Sequence, residues 1–194
     1  MMNLQLPTIF PARRWFAAAA LLALVLFSTV AAQAEAQRWL LVFDTSSAMK
    51  KRLPAVETEI RTLLTKELTN SLHAGDSIGI WTFNEKLHMG EVPLLTWDPK
   101  SGGELATNVV NYIHRQNYSG NTRFAVLQPI LGTVIGDSER LTVIIFCDGA
   151  DQIHGTPYDE GINQTLKQTY DDRKKALQPY VIVLRTQTGK YVRS

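Results

Sequence analysis

The sequence predicts an α/β fold: a mostly parallel central sheet with helices on both faces. Three observations carry that prediction. Two short runs, Leu40–Phe43 and Leu141–Cys147, are apolar with little or no alternation, as strands buried on both faces are. Each run stops at an aspartate, Asp44 and Asp148. Elsewhere the apolar residues recur every three or four positions, so strands alternate with helices in the manner of βαβ units.

Taken in order, the run ending at Asp44 is the first strand. Pro54 then suits the first turn of a helix. Val56, Ile60, Leu63, Leu64, Leu68 and Leu72 give that helix one apolar face, and Gly75 is placed to end it. Ser77–Phe83 reads as a strand. Leu87–Trp97 is a second β candidate, interrupted by Gly90 and Pro93 and therefore expected at a sheet edge. Ser101–Gln116 is helical, with Leu105, Val109 and Ile113 on one face, and Tyr118–Thr122 is a loop. Arg123–Ile135 is again helical, with Pro129 expected to kink or interrupt it. Leu141–Cys147 is the strongest strand of the chain. Ile162–Leu177 is a polar helix whose charge run Asp171–Lys175 reads as a solvated face, and Tyr180–Leu184 is a last buried strand.

The start of the chain follows another pattern. Arg13 and Arg14 precede an apolar run from Trp15 to Phe27, and Ala32-Gln33-Ala34 and Ala34-Glu35-Ala36 offer cleavage sites between small residues. This order predicts a signal peptide over residues 1–36 and one domain over residues 37–194. An uncleaved anchor is the rival reading. After cleavage no membrane insertion is expected, and the domain would work in a bacterial periplasm or outside the cell. The 194-residue chain carries a formal net charge of +2, and losing Arg13, Arg14 and Glu35 keeps the remainder near neutral. Near-neutrality gives no support for a nucleic-acid partner. Cys147 is the single cysteine, so no internal disulfide forms, and its apolar surroundings predict a small buried hydrophobe.

In an open α/β sheet, ligands bind outside the carboxyl ends of the strands. Asp44, Ser46 and Asp148 are expected there, with Asp44 and Ser46 on an exposed loop. Thr122 stands at a loop-to-helix junction that could face the same edge. Two carboxylates and two hydroxyls make a cup of hard oxygens, suited to Mg²⁺ or Ca²⁺ rather than to softer metals. Held close, the carboxylates repel each other, and a dication relieves that repulsion. The plain alternative is a strand-to-helix turn in which Asp44 and Ser46 serve as caps. No activated nucleophile is evident. Ser46 and Ser47 have no histidine close in sequence, and His73, His88, His114 and His154 do not form a metal spacing. Asp151 and His154 read as ordinary loop residues.

These residues resemble the von Willebrand factor type A (VWA) domain and its metal-ion-dependent adhesion site. Asp44-Thr45-Ser46-Ser47-Ala48 is similar to that family's D-x-S-x-S motif at its first two signature positions. Thr122, after Gly120-Asn121, resembles its separate threonine, and Asp148-Gly149 its later aspartate. Gly75–Phe83 resembles its second strand and the approach to it. The resemblance implies a Rossmann-like VWA fold and a metal site of Asp44, Ser46, Thr122 and Asp148 holding Mg²⁺ (or Mn²⁺ or Ca²⁺). It further implies a partner protein that offers an acidic side chain, and binding rather than catalysis. Two departures stand out. Ala48 occupies the place of the second motif serine, which weakens the expected metal binding. The family's further helix, sixth strand and closing helix have no counterpart after Tyr180–Leu184, so the domain reads as C-terminally shortened. A structural or assembly component with a lapsed metal site is therefore the second reading. An enzyme is the third, for instance a phosphatase with Asp44 as nucleophile. Such phosphatases place a second aspartate two residues later, where this chain has Ser46.

Overall fold

The computed structural model describes residues 36–192; the expected signal peptide, save its last residue, lies outside them. β1 (Arg38–Asp44), β2 (Ser77–Phe83), β3 (Leu87–His88), β4 (Leu95–Thr96), β5 (Arg140–Cys147), β6 (Tyr180–Gln187) and β7 (Lys190–Val192) form one mixed sheet. The strand order is β3-β2-β1-β5-β6-β7, with β4 also pairing β2. Its centre, β2-β1-β5, is parallel, while the outer pairings are antiparallel. The helices are α1 (Leu53–Thr62), α2 (Gly102–His114), α3 (Gln128–Gly136) and α4 (Asp159–Lys175).

The central position of β1 and β5 follows from their composition. Every residue of β1 after Arg38 and of β5 after Arg140 is buried. Strands apolar on both faces need a helical layer over each face. Alternate residues of these strands serve opposite cores. Leu41, Phe43, Ile144 and Phe146 pack with Val56 and Ile60 of α1 and with Val109 and Ile113 of α2. Leu40, Val42, Ile145 and Cys147 pack with Leu131 and Ile135 of α3 and with Leu166 of α4. Phe43 and Phe146, paired in register, stack with ring centroids 4.9 Å apart. Phe43 directly precedes Asp44 and Phe146 lies two residues before Asp148, so this stack braces the two strand ends that carry the aspartates.

Several elements differ from expectation. The first helix begins early as a 3₁₀ segment, Ser47–Arg52, which runs into α1 with Pro54 in its first turn. It ends in a π turn, Leu63–Glu67, well before Gly75, whose φ of 94° marks the turn into β2. Pro129 does not kink a helix: a 3₁₀ turn at Phe124–Val126 precedes it, and the proline sits in the opening turn of α3, where its missing N–H is no loss. The β candidate over Leu87–Trp97 resolves into β3 and β4, both at the edge of β2. β6 is not buried on both faces, because its residues alternate strictly between buried and exposed. It also runs antiparallel to β5. Tyr158, at the start of α4, meets Tyr191 near the far end of β6, so segment 148–158 has already carried the chain back across the domain. β7 follows through the turn at Thr188-Gly189, both with positive φ, a pairing the sequence did not predict.

At the amino edge of the sheet, buried Asp76 accepts the Gln37 N–H (2.8 Å), the His73 N–H (3.0 Å) and the Trp39 indole N–H (3.2 Å). This carboxylate fixes the start of β1 against the approach to β2.

Phe146→Ala removes one ring of the stack that spans the two site strands. It is expected to destabilise the domain by about 3–5 kcal/mol in urea unfolding.

Candidate metal centre

Asp44 is the last residue of β1 and Asp148 the first after β5, and these neighbouring parallel strands end at the same edge. The loops around them are laced together by the backbone. The Thr45 N–H donates to Phe83 O (2.7 Å), the Ser47 N–H to Gly120 O (3.1 Å) and the Ser119 N–H to Thr45 O (3.0 Å). Those bonds draw the 119–122 loop onto the end of β1 and deliver Thr122 to the two aspartates. Gly149, with φ of 75°, turns the chain directly after Asp148; a Cβ there would fall 2.3 Å from the Tyr180 ring. A glycine is required on both counts.

All four oxygen-bearing residues predicted from the sequence come together. The Thr122 hydroxyl donates to Asp44 Oδ2 at 2.6 Å, and its oxygen also lies 2.9 Å from Asp148 Oδ1 and 3.1 Å from Ser46 Oγ. Backbone N–H groups fix the carboxylates: Ser46 to Asp44 Oδ1 (2.7 Å) and Ala150 to Asp148 Oδ1 (2.9 Å). A threonine hydroxyl has one hydrogen and Ser46 supplies one more. Three oxygen-to-oxygen approaches around Thr122 therefore share two hydrogens. The close approach to the second carboxylate is left without one, and either an additional proton or a cation would satisfy it. The donor set is entirely hard oxygen, so the residues fit a divalent ion of the Mg²⁺, Mn²⁺ or Ca²⁺ kind. Among the described residues no group of three or more His, Cys, Asp or Glu side chains could hold a metal, so an ion here must rely on the hydroxyls.

The expectation of an exposed loop is corrected by burial. Asp44 and Ser46 are each 1% exposed and Asp148 is 2% exposed, because the 119–122 loop and the turn after β5 close over them. Burial has an electrostatic consequence. Loss of solvent raises the Asp44 pKa to about 6, and the Asp148 charge adds to the rise, against the lowering effect of the Thr122 and Ser46 hydrogen bonds. Ala48 is exposed, so its missing hydroxyl has not been replaced by closer packing. Cys147 is fully buried, and desolvation pushes its thiol above the ordinary range, which leaves it inert.

Sequence reasoning missed Arg52. This guanidinium is buried and donates through Nη1 to the carbonyls of Asp148 (2.9 Å) and Gln178 (3.1 Å), tying the turn after β5 to the start of β6. Its spacing held the signal: Arg52 stands three residues after Met49 and four before Val56, both buried, so it lies on the inward face despite following Lys50 and Lys51. Asp151 accepts the Phe124 N–H (2.7 Å) and so starts the 3₁₀ turn before α3.

No protein-family model matches this sequence, and a comparison with curated proteins gives no match either. Among solved structures, an aerotolerance-related membrane protein from Bacteroides fragilis NCTC 9343, carrying multiple mutations to serine, is similar at 13% identity with a TM-score of 0.41. The overlap covers 69% of this chain and 63% of that one; at this level it assigns nothing to the site.

Because the folded pKa of Asp44 lies above its unfolded value, the folded state holds that proton more tightly. The contribution is fully present below about pH 4 and is lost as the pH rises through about 6. In chelator, wild type should lose about 3 kcal/mol relative to Asp44→Asn between pH 4 and pH 7.5, read by urea unfolding at each pH. Gly149→Ala should cost about 2–4 kcal/mol in the same assay, from positive φ and overlap with Tyr180.

Proposed function

We propose that this chain is an exported protein-binding module of the VWA type. In this reading Asp44, Ser46, Thr122 and Asp148 hold a divalent ion, Mg²⁺ or alternatively Mn²⁺ or Ca²⁺, and an acidic side chain of a partner protein docks there. The observation that carries it is the cluster of four oxygens around Thr122 with too few hydrogens to bridge them. When bound, the ion supplies a positive charge that attracts a carboxylate from outside. The chain's own residues do the rest. Backbone N–H groups of Ser46 and Ala150 orient the carboxylates, Thr122 spaces them, and Arg52 holds the Asp148 turn through its backbone carbonyl. Two buried carboxylates offset most of a dication's charge and leave it receptive to one more anionic ligand. Binding rather than catalysis fits a site with no activated nucleophile beside it. The export signal, read from residues 1–36, would place the partner in the periplasm or outside the cell.

A second reading has its own support. With Ala48 in place of a hydroxyl and the Asp44 pKa raised to about 6, a proton can take over part of the cation's work. The module would then be a structural or assembly component with a lapsed metal site.

Thermal unfolding separates the two. At a Mg²⁺ or Mn²⁺ concentration about ten times the dissociation constant, wild type should gain about 1.4 kcal/mol, seen as a rise in Tm of a few degrees. Asp148→Ala should abolish the rise, and Ala48→Ser, at an exposed position, should enlarge it. A wild type indifferent to millimolar metal, with a response recovered in Ala48→Ser, would establish the lapsed site instead. Capture of a partner from the cell envelope, lost on adding chelator, tests the adhesive role itself.

A further inference from the structure

The outer strand β6 carries a feature unconnected with the metal centre. Its inner residues Tyr180, Ile182 and Leu184 join the core beneath α4, while Val181 and Val183 are 40% and 49% exposed on the opposite face. Its free edge lies on that strand too. β7 pairs only with Arg185–Gln187, so among the described residues Tyr180–Leu184 has no neighbour on its outer side. The hydrogen-bond phase can be worked out. In the tight turn at Thr188-Gly189, Gln187 and Lys190 face each other, and the Thr188 N–H points the other way, to Glu139 O. Counting back by twos, Arg185 faces β7, and Val183 and Val181 direct their N–H and C=O groups outward. A cleft of about 660 Å³ lies beside this edge, bounded by Tyr158, Ile162 and Leu166 on the α4 side, so an added strand finds room there.

Exposed strand edges are commonly blunted by lysine, proline or a bulge. Tyr180–Leu184 has none of these. We propose that β6 pairs with β6 of a second copy of this chain, antiparallel across a two-fold axis at Ile182, to make one continuous sheet. The pattern is self-complementary. Val181 of each copy lies opposite Val183 of the other, and each such pair exchanges both N–H···O bonds. The valines of both copies then cover one another on the face that is bare in the single chain. Charge agrees with the symmetry. The first turn of α4 carries Asp159 and Glu160, and its last turn carries Arg173, Lys174 and Lys175. The two-fold axis sets the two α4 helices antiparallel on one face, with the acidic end of each on the side of the basic end of the other.

The test is sedimentation velocity of the full chain over a range of concentrations. A dimer is expected for wild type. Val183→Pro deletes only an outward N–H and should give a monomer with a near-native Tm, whereas Ile182→Pro breaks a bond to β5 and should unfold the strand. If Val183→Pro proves unstable, the double variant Val181→Lys/Val183→Lys, altered only at exposed side chains, should give the same monomer. In Ile182→Cys, non-reducing electrophoresis should show a covalent dimer, which Leu184→Cys should not form. A wild type that stays monomeric at every concentration would overturn the proposal, as would association that persists in the folded proline or double-lysine variant.

Discussion

Two carboxylates buried side by side impose the terms on which the rest of this domain is built. Asp44 and Asp148 are almost wholly removed from water, at the ends of adjacent strands. Burying charge without compensation is expensive, so the surroundings must supply hydrogens or positive potential. Backbone N–H groups at Ser46 and Ala150 supply some, Thr122 supplies one more, and protonation of Asp44 near pH 6 supplies a further one when no cation is bound. The tight turn at Gly149, the buried guanidinium of Arg52 and the lacing of the 119–122 loop all serve to hold those donors in place.

If the site holds a metal as proposed, metal and proton compete for it. Each answers the same electrostatic deficit, the proton at one oxygen and a dication across all four residues. In that reading the site would lose affinity for metal as the medium becomes acidic, since the proton would already occupy Asp44. The proposed adhesive module and the proposed lapsed module differ in which of the two answers prevails at the pH of the compartment.

Much of the fold was legible in the sequence because its strongest signals come from its most constrained parts. β1 and β5 lie between two helical layers, so their residues had to be apolar on both faces, and such runs admit few other readings. The two aspartates follow from the same runs, and Thr122 from its loop-to-helix junction, which its likeness to a motif then reinforced. The misreadings cluster where local pattern and tertiary setting diverge. Pro129 looks like a break within one long apolar periodicity, yet a 3₁₀ turn ahead of it makes it a helix start. Tyr180–Leu184 looks buried because all five residues are apolar, but only alternate ones face the core. The burial of the cup was invisible because it depends on a loop that joins the site from a distant part of the chain. Arg52 was hidden by its two basic neighbours, although its spacing from Met49 and Val56 pointed inward.

The clamp at Asp76 bears on how firmly the site strand is held. By fixing Gln37 and Trp39, it anchors the beginning of β1 at the rim opposite the oxygen cup. The strand between them spans roughly 20 Å. Gln37 and the oxygen cup therefore lie at opposite rims of the sheet. β1 thus couples the two rims: its start cannot shift against β2 without moving the strand end that carries Asp44.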